Sequence, residues 1–208
     1  MIRRINVPNR ITLARLLLSI IFFFVLVQYS QRDPTRRVWM LDTAWVLFII
    51  AACTDFLDGY LARKHGWVTP LGRILDPFVD KVLICGAFIL FAGHGFVDQQ
   101  GHNVTKVEAW MVVVIVGREL LVTGIRGFQE SLGKAFPASL HGKLKMWVQC
   151  IAAPTILFLV AREDQGMSSA TADLLKVILV WLTVIVTALS ALQYLARSKD
   201  IFDASAPA

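Results

Sequence analysis

Four aspartates within 26 residues form the densest group of potential ligands in this chain. They are Asp55, Asp58, Asp76 and Asp80. The first pair is spaced i, i+3 and the second i, i+4, so each pair shares one face of a helix. Long apolar runs flank both pairs, and a charged group at membrane depth costs several kcal/mol. We therefore expect a function that needs these acids.

Carboxylates this close together cannot all stay ionised without a counter-charge. Hard divalent cations supply one, and ligation by oxygen alone favours Mg²⁺ or Mn²⁺. Four carboxylates have room for two such ions and for a diphosphate that bridges them. The spacing alone also fits a transporter for divalent cations, in which intramembrane acids carry the ion.

The long apolar segments that position these acids predict an all-α integral membrane protein. A hydrophobic content of 56% and a mean hydropathy of +0.62 exclude an ordinary soluble domain. We predict six transmembrane helices in a single domain, 1–208. The predicted spans are 13–29, 43–63, 74–96, 107–129, 144–161 and 174–196. The basic segment 1–15, with Pro8 as a break, predicts a short interfacial helix before the first span.

The basic residues predict the orientation of these spans. The connection 64–71 is short, so the two acid-bearing helices are expected to be antiparallel neighbours with both acid pairs at one membrane surface. Of 21 Lys and Arg, fifteen fall on the side that holds this connection and both termini, five fall on the other side, and Lys176 lies inside the last span. The acids and both termini are therefore predicted to face the cytoplasm.

A second polar stretch, 117–145, brings several cations into the fourth and fifth spans. They include Arg118, Arg126, Lys143 and Lys145. Arg118 and the neighbouring Glu119 can be a structural pair that neutralises itself across helices. The additional cations favour a second anion pocket, because Arg binds phosphate in a bidentate manner and Lys adds a point charge. A phosphate-bearing alcohol needs such a pocket, whereas a neutral alcohol does not.

The pattern Asp-x-x-Asp-Gly-x-x-Ala-Arg followed by Gly-x-x-x-Asp-x-x-x-Asp, at 55–80, resembles the signature of the CDP-alcohol phosphotransferases. These membrane enzymes transfer a phosphatidyl or similar group from a CDP-linked donor to an alcohol. The resemblance implies that all four aspartates hold metal and that Asp80 is also the general base. It further implies that the nucleotide is bound by Asp58, Gly59, Ala62, Arg63 and Gly72.

Two further segments, Asn6–Arg15 and Arg118–Lys145, resemble one branch of this family, the phosphatidylglycerophosphate synthases. That branch implies CDP-diacylglycerol as donor, glycerol 3-phosphate as acceptor, a homodimer and the bacterial inner membrane. A relative that makes cardiolipin or a phosphatidylinositol phosphate is the alternative within the family. The net charge of +6 is explained by topology and anionic membrane lipid, so we expect no nucleic-acid partner.

Overall fold

The computed structural model describes residues 7–33, 37–65, 70–131, 140–163 and 169–203. These residues form six α-helices, and no strand occurs among them beyond one isolated bridge, Val97 with Asn103. The helices are α1 (Val7–Gln28), α2 (Arg37–His65), α3 (Pro70–Phe91), α4 (Ala109–Ser131), α5 (Leu140–Glu163) and α6 (Ser169–Asp203). The prediction of an all-α protein is confirmed.

The six helices pack in a closed ring. Helix α1 lies between α2 and α3, α2 packs on α5, α5 on α6, α6 on α4, and α4 on α3. A further contact between α3 and α5 crosses the ring. Helices α2 and α3, which carry the four aspartates, therefore share two neighbours, α1 and α5.

Aromatic side chains fill the space between α1, α2 and α3. Phe22 of α1 packs on Phe48 of α2 with ring centroids 5.7 Å apart, and both are fully buried. Gly86 lets α3 approach α1 closely, because a Cβ there would lie 2.3 Å from the ring of Phe23. This close packing fixes the position of α3 relative to α1.

The connection between α3 and α4 is folded against the end of the bundle. The predicted third span runs to residue 96, but α3 ends at Phe91. The side chains of Asn103 and Thr105 both donate to the Phe91 carbonyl oxygen, at 2.8 and 2.9 Å, which caps the helix. Gly95 accepts a hydrogen bond from the Gln31 backbone N–H at 2.8 Å and thereby ties this connection to the end of α1.

Three of the helices are long and apolar enough to cross a membrane, judged on the described residues. The segments are Ile11–Gln28, Leu144–Glu163 and Ala170–Ala196, while α2 and α3 carry the shorter apolar stretches Trp39–Thr54 and Lys81–Phe91. Large apolar side chains face outward all round the bundle, among them Phe24, Val113, Leu120 and Leu192. This apolar exterior is that of an integral membrane protein.

The N-terminal segment differs from its prediction. Pro8 does not break the chain but lies in the first turn of α1, where the missing N–H has no intrahelical partner to lose. Residues 7–15 are therefore continuous with the first long helix, and the rest of the expected interfacial helix, 1–6, lies outside the described residues.

A cluster of ion pairs joins α5, α6 and the connection before α4 at one end of the bundle. It consists of Lys106, Glu163, Asp173 and Lys176, hereafter the Lys176 cluster. The ammonium of Lys176 is fully buried and donates to Glu163 at 2.6 Å, Asp173 at 2.9 Å and the Val104 carbonyl oxygen at 2.6 Å. Lys106 pairs with Asp173 at 2.9 Å. Two cations thus meet two carboxylates, so the cluster is electrically balanced.

We expect Glu163→Leu to destabilise the protein more than Lys176→Met does. The first change strips a buried ammonium of one of its carboxylates, whereas the second leaves two partly exposed acids that water can solvate. The difference should be about 1–2 kcal/mol, seen as a lower melting temperature in detergent. An equal or larger effect of Lys176→Met would contradict this reading of the Lys176 cluster.

Candidate active site

The four aspartates lie in the helical turns that flank the connection 66–69. Asp55 and Asp58 belong to the C-terminal part of α2, and Asp76 and Asp80 belong to the N-terminal part of α3. Because only four residues join His65 to Pro70, the chain itself holds these two helix ends near each other. The side chains of the aspartates lie outside the described residues, as do those of Ala62 and Arg63.

Contacts between α2 and α5 show which part of α5 lies beside the first acid pair. Asp42 forms an ion pair with Arg162 at 2.9 Å, and Trp45 packs on Phe158. Residue numbers rise along α2 as they fall along α5, so the two helices are antiparallel. Continuing this register along regular helices brings Asp58 level with about Lys145.

A contact between α3 and α4 shows which part of α4 lies beside the second acid pair. Lys81, which follows Asp80, donates from its ammonium to the Thr123 hydroxyl. Asn103 and Thr105, which precede α4, bond to the end of α3 at Phe91, and together with this contact they make α3 and α4 antiparallel. Asp76 therefore lies at about the level of Phe128 and Asp80 at about that of Gly124. Arg126 falls between these two levels. The acid-bearing turns and the cations predicted for the acceptor are therefore at the same end of the bundle.

Glu119 is the centre of a buried polar cluster between α4, α5 and α6. Its carboxylate pairs with Arg118 of the same helix at 3.1 Å and with Lys145 of α5, and all three side chains are buried. Arg118 also donates from Nη2 to the Ser190 hydroxyl of α6 at 2.7 Å. One carboxylate therefore compensates two cations that come from different helices.

Arg126 extends this cluster by two turns along α4. Its Nη2 donates to the Tyr194 hydroxyl at 2.7 Å, and its guanidinium lies 5.5 Å from the centre of the Tyr194 ring. Among the described side chains, no carboxylate pairs with Arg126, and its Nε has no hydrogen-bond partner. We call Arg118, Glu119, Arg126 and Lys145 the cationic cluster.

The cationic cluster is electrically unbalanced. Three cations face one carboxylate, which leaves two positive charges within the described part of the site. A bundle of low polarity does not tolerate such an excess without a compensating anion or water. The arrangement is therefore suited to an anion that carries about two negative charges.

The structure brings together three of the four residues predicted for the acceptor phosphate. Arg118, Arg126 and Lys145 are linked through Glu119 and α6, whereas the side chain of Lys143, in the first turn of α5, lies outside the described residues. The structural pairing of Arg118 with Glu119 exists, but within one helix. Our expectation that this pair runs across helices was wrong. The partner of Glu119 on another helix is Lys145 of α5.

Sequence reasoning missed the contribution of α6. Four buried hydroxyl-bearing residues follow one face of this helix, namely Thr183, Thr187, Ser190 and Tyr194. Their spacing of four, three and four residues inside an apolar span is a helical polar stripe that the sequence does display. That signal was available, but a hydroxyl in a membrane helix often bonds only to its own backbone, as Thr183 does to Leu179.

The donor set of the acid-bearing turns fits the divalent ions that the resemblance implies. Four carboxylates offer oxygen ligands only, which suits Mg²⁺ or Mn²⁺ and not a softer metal. Among the described side chains, no group of three or more His, Cys, Asp or Glu converges. The described residues thus offer no competing metal centre.

Fold and site together define an all-helical membrane protein with a cluster of cations at the end of the bundle that carries the four aspartates. The profile of the CDP-alcohol phosphatidyltransferase family matches residues 5–189. The chain belongs to this family, and it is a phosphatidyltransferase of phospholipid biosynthesis. The resemblance seen at 55–80 is confirmed, and membership decides against a divalent-cation transporter.

Several relatives extend the similarity along nearly the whole chain. The CDP-diacylglycerol–glycerol-3-phosphate 3-phosphatidyltransferase of Bacillus subtilis is 35% identical over 206 residues, covering 96% of this chain and 98% of the relative. The enzyme of the same name from Rickettsia typhi is 31% identical and covers 95% and 99%. That from Pseudomonas fluorescens is 36% identical over 155 residues, covering 74% and 70%.

Replacing Glu119 by Gln should destabilise the protein strongly. The change keeps the shape of the side chain but leaves Arg118 and Lys145 buried without their shared counter-charge. We expect a loss of about 3 kcal/mol, or about 6–12 °C in melting temperature in detergent. Glu108→Gln, at an exposed glutamate just before α4, is the matched control and should change stability by at most about 0.5 kcal/mol. Equal effects of the two changes would mean that Glu119 is not the counter-charge.

Proposed function

We propose that this chain transfers the phosphatidyl group of CDP-diacylglycerol to sn-glycerol 3-phosphate, giving phosphatidylglycerophosphate and CMP. The names of the relatives support this donor and this acceptor. The observation that carries the choice of acceptor is the guanidinium of Arg126, which has a neutral hydroxyl and no carboxylate as its described partner. A phosphate monoester would supply the missing negative charge, and a neutral alcohol would not.

The donor is assigned to the acid-bearing turns of α2 and α3. Asp55, Asp58, Asp76 and Asp80 would hold Mg²⁺ or Mn²⁺, with two ions proposed. When bound, these ions would neutralise the diphosphate of the donor and the CMP that leaves. Asp58, Gly59, Ala62, Arg63 and Gly72 would bind the cytidine nucleotide, as the resemblance implies.

Asp80 is proposed as the general base. It would take the proton from the attacking hydroxyl of glycerol 3-phosphate while that oxygen forms a bond to the phosphorus of the phosphatidyl group. The bond between this phosphorus and the bridging oxygen breaks, and CMP leaves with that oxygen. Asp80 lies at about the level of Gly124 on the neighbouring helix, less than one turn from Arg126, which supports a short path between base and acceptor.

The acceptor phosphate is assigned to the cationic cluster together with Lys143. Arg118, Arg126, Lys143 and Lys145 would surround it, with Glu119 holding two of the cations in place. The excess of two positive charges in the described part matches the charge of a phosphate monoester near neutral pH. Arg126 offers N–H groups in a planar fork, which is the geometry that recognises phosphate oxygens.

We also propose a placement in the bacterial inner membrane with six spans and with the site and both termini facing the cytoplasm. The distribution of fifteen basic residues against five supports this orientation. Exposed tryptophans near both ends of the bundle support the placement in a membrane, because tryptophan is enriched at both membrane interfaces. Trp39 and Trp110 lie at one end and Trp147 at the other. In this placement the single domain 1–208 meets a nucleotide-linked donor where nucleotides are available.

A homodimer is proposed on the resemblance to the family. The outward face of α4 supports it, because Gly117 and Gly124 leave open space where a Cβ would meet no atom within 4 Å. Large apolar side chains, such as Leu120 and Phe128, stand beside these glycines. Glycines of this kind let two membrane helices approach closely.

The acceptor should be identified by supplying purified protein with CDP-diacylglycerol, Mg²⁺ or Mn²⁺ and a panel of labelled alcohols. We expect lipid product from glycerol 3-phosphate and none from glycerol, serine or free inositol, because these lack the phosphate that the cationic cluster needs. The measurement is labelled lipid separated by chromatography. Product from inositol phosphate or phosphatidylglycerol instead would assign the chain to another member of the family.

Asp80→Asn should abolish the release of CMP while the donor still binds. The amide has the shape of the carboxylate but cannot accept the proton of the acceptor hydroxyl. The readouts are CMP formed from CDP-diacylglycerol with glycerol 3-phosphate, and the binding of labelled donor. Asp98→Asn, in the connection at the opposite end of the bundle, is the control and should keep its activity. Turnover near that of the unmodified protein in Asp80→Asn would remove the base assignment.

A further inference from the structure

Helix α6 supplies neutral hydroxyl partners to both arginines of the cationic cluster. The Ser190 hydroxyl accepts from Arg118, and the Tyr194 hydroxyl accepts from Arg126, each at 2.7 Å. Both α6 residues are buried, with Tyr194 1% exposed. Ser190 and Tyr194 are one turn apart on α6, and the two arginines are two turns apart on α4, so a single face of α6 serves both.

The ring of Tyr194 lies close to both guanidinium groups. Arg118 is 5.4 Å and Arg126 5.5 Å from the ring centre. Both distances are within the range in which a cation is attracted to the face of an aromatic ring. Tyr194 therefore contacts Arg126 in two ways and Arg118 in one, and it links the two groups.

The neutrality of these partners matters for binding an anion. A carboxylate in place of Tyr194 would orient Arg126 equally well, but it would also cancel its charge, as Glu119 does for its two cations. A phenol and a hydroxyl orient a guanidinium and leave its charge intact. Arg126 then keeps its remaining N–H groups and its full charge for a ligand.

We infer that Tyr194, assisted by Ser190, is a positioning residue that sets the affinity of the site for the phosphate of the acceptor alcohol. The inference rests on the proposed function for the identity of that alcohol. Tyr194 acts through Arg126 and Arg118 and takes no part in the transfer step. Its effect is accordingly confined to binding of the acceptor.

The test is Tyr194→Phe, which removes only the hydroxyl and keeps the ring beside both arginines. We expect the KM for glycerol 3-phosphate to rise about five- to tenfold, with kcat changed less than about twofold and the KM for CDP-diacylglycerol unchanged. Ser190→Ala should raise the same KM by a smaller factor, because Arg118 keeps Glu119. Thr183→Val is the matched control, since its buried hydroxyl bonds within α6 to the Leu179 carbonyl oxygen and should leave all three constants unchanged.

Three outcomes of the kinetic test would overturn the inference. They are an unchanged KM for glycerol 3-phosphate in Tyr194→Phe, an equal rise in the KM for the donor, and a fall in kcat alone. The melting temperature of each variant in detergent shows whether a general loss of structure is responsible. If Tyr194→Phe melts far below Thr183→Val, Ser190→Ala takes its place in the comparison. An unchanged KM for glycerol 3-phosphate in Ser190→Ala is then equally decisive.

Direct binding of inorganic phosphate separates this inference from the proposed function. The full-length protein in detergent is titrated with phosphate by calorimetry, and Tyr194→Phe should bind at least about fivefold more weakly than the unmodified protein or Thr183→Val. If the unmodified protein makes no lipid from glycerol 3-phosphate yet shows this difference, the proposed acceptor is wrong and the role of Tyr194 stands. If the unmodified protein binds no phosphate, or binds it as well after Tyr194→Phe, the inference fails.

Discussion

A charge inside an apolar helical bundle has to be compensated where it lies, and this constraint governs the polar interior of the protein. Glu119 is the clearest case, because its one carboxylate holds Arg118 on α4 and Lys145 on α5. Without it, two buried cations would face each other across a helix interface. The pairing therefore fixes α4 and α5 relative to each other, and α6 is added through the bond between Arg118 and Ser190.

The two ends of the bundle satisfy this constraint differently. At one end, Lys106 and Lys176 are matched by Glu163 and Asp173, so that cluster is complete without a ligand. At the other end, three cations of the cationic cluster meet one carboxylate among the described side chains, and this cluster lies level with the acid-bearing turns of α2 and α3. A balanced cluster stabilises the fold, whereas an unbalanced one is available for a charged substrate. Among the described side chains, the two ends of the bundle thus differ in charge balance, although both clusters contain buried cations.

Much of this organisation was predictable from the sequence, because helices in a membrane follow hydropathy and the signature at 55–80 has fixed spacing. The six helices and the grouping of Arg118, Arg126 and Lys145 were anticipated. The end of α3 at Phe91 was not, since it depends on side chains of Asn103 and Thr105 that return from a later segment. The crossing partner of Glu119 was also missed, because spacing within α4 points to its neighbour Arg118 and cannot reveal which residue of α5 faces it.

The contribution of α6 shows why hydropathy alone underestimates such a helix. Ala170–Ala196 meets every criterion of a membrane span, yet one of its faces carries hydroxyl groups that are buried against α4 and α5. These groups add little to the mean polarity of the helix, and they add no charge. Acidic residues in place of Ser190 and Tyr194 would have been easier to detect in the sequence, but they would have cancelled the positive charges of Arg118 and Arg126. The absence of charge that conceals this face from a hydropathy analysis thus also leaves the charges of Arg118 and Arg126 intact.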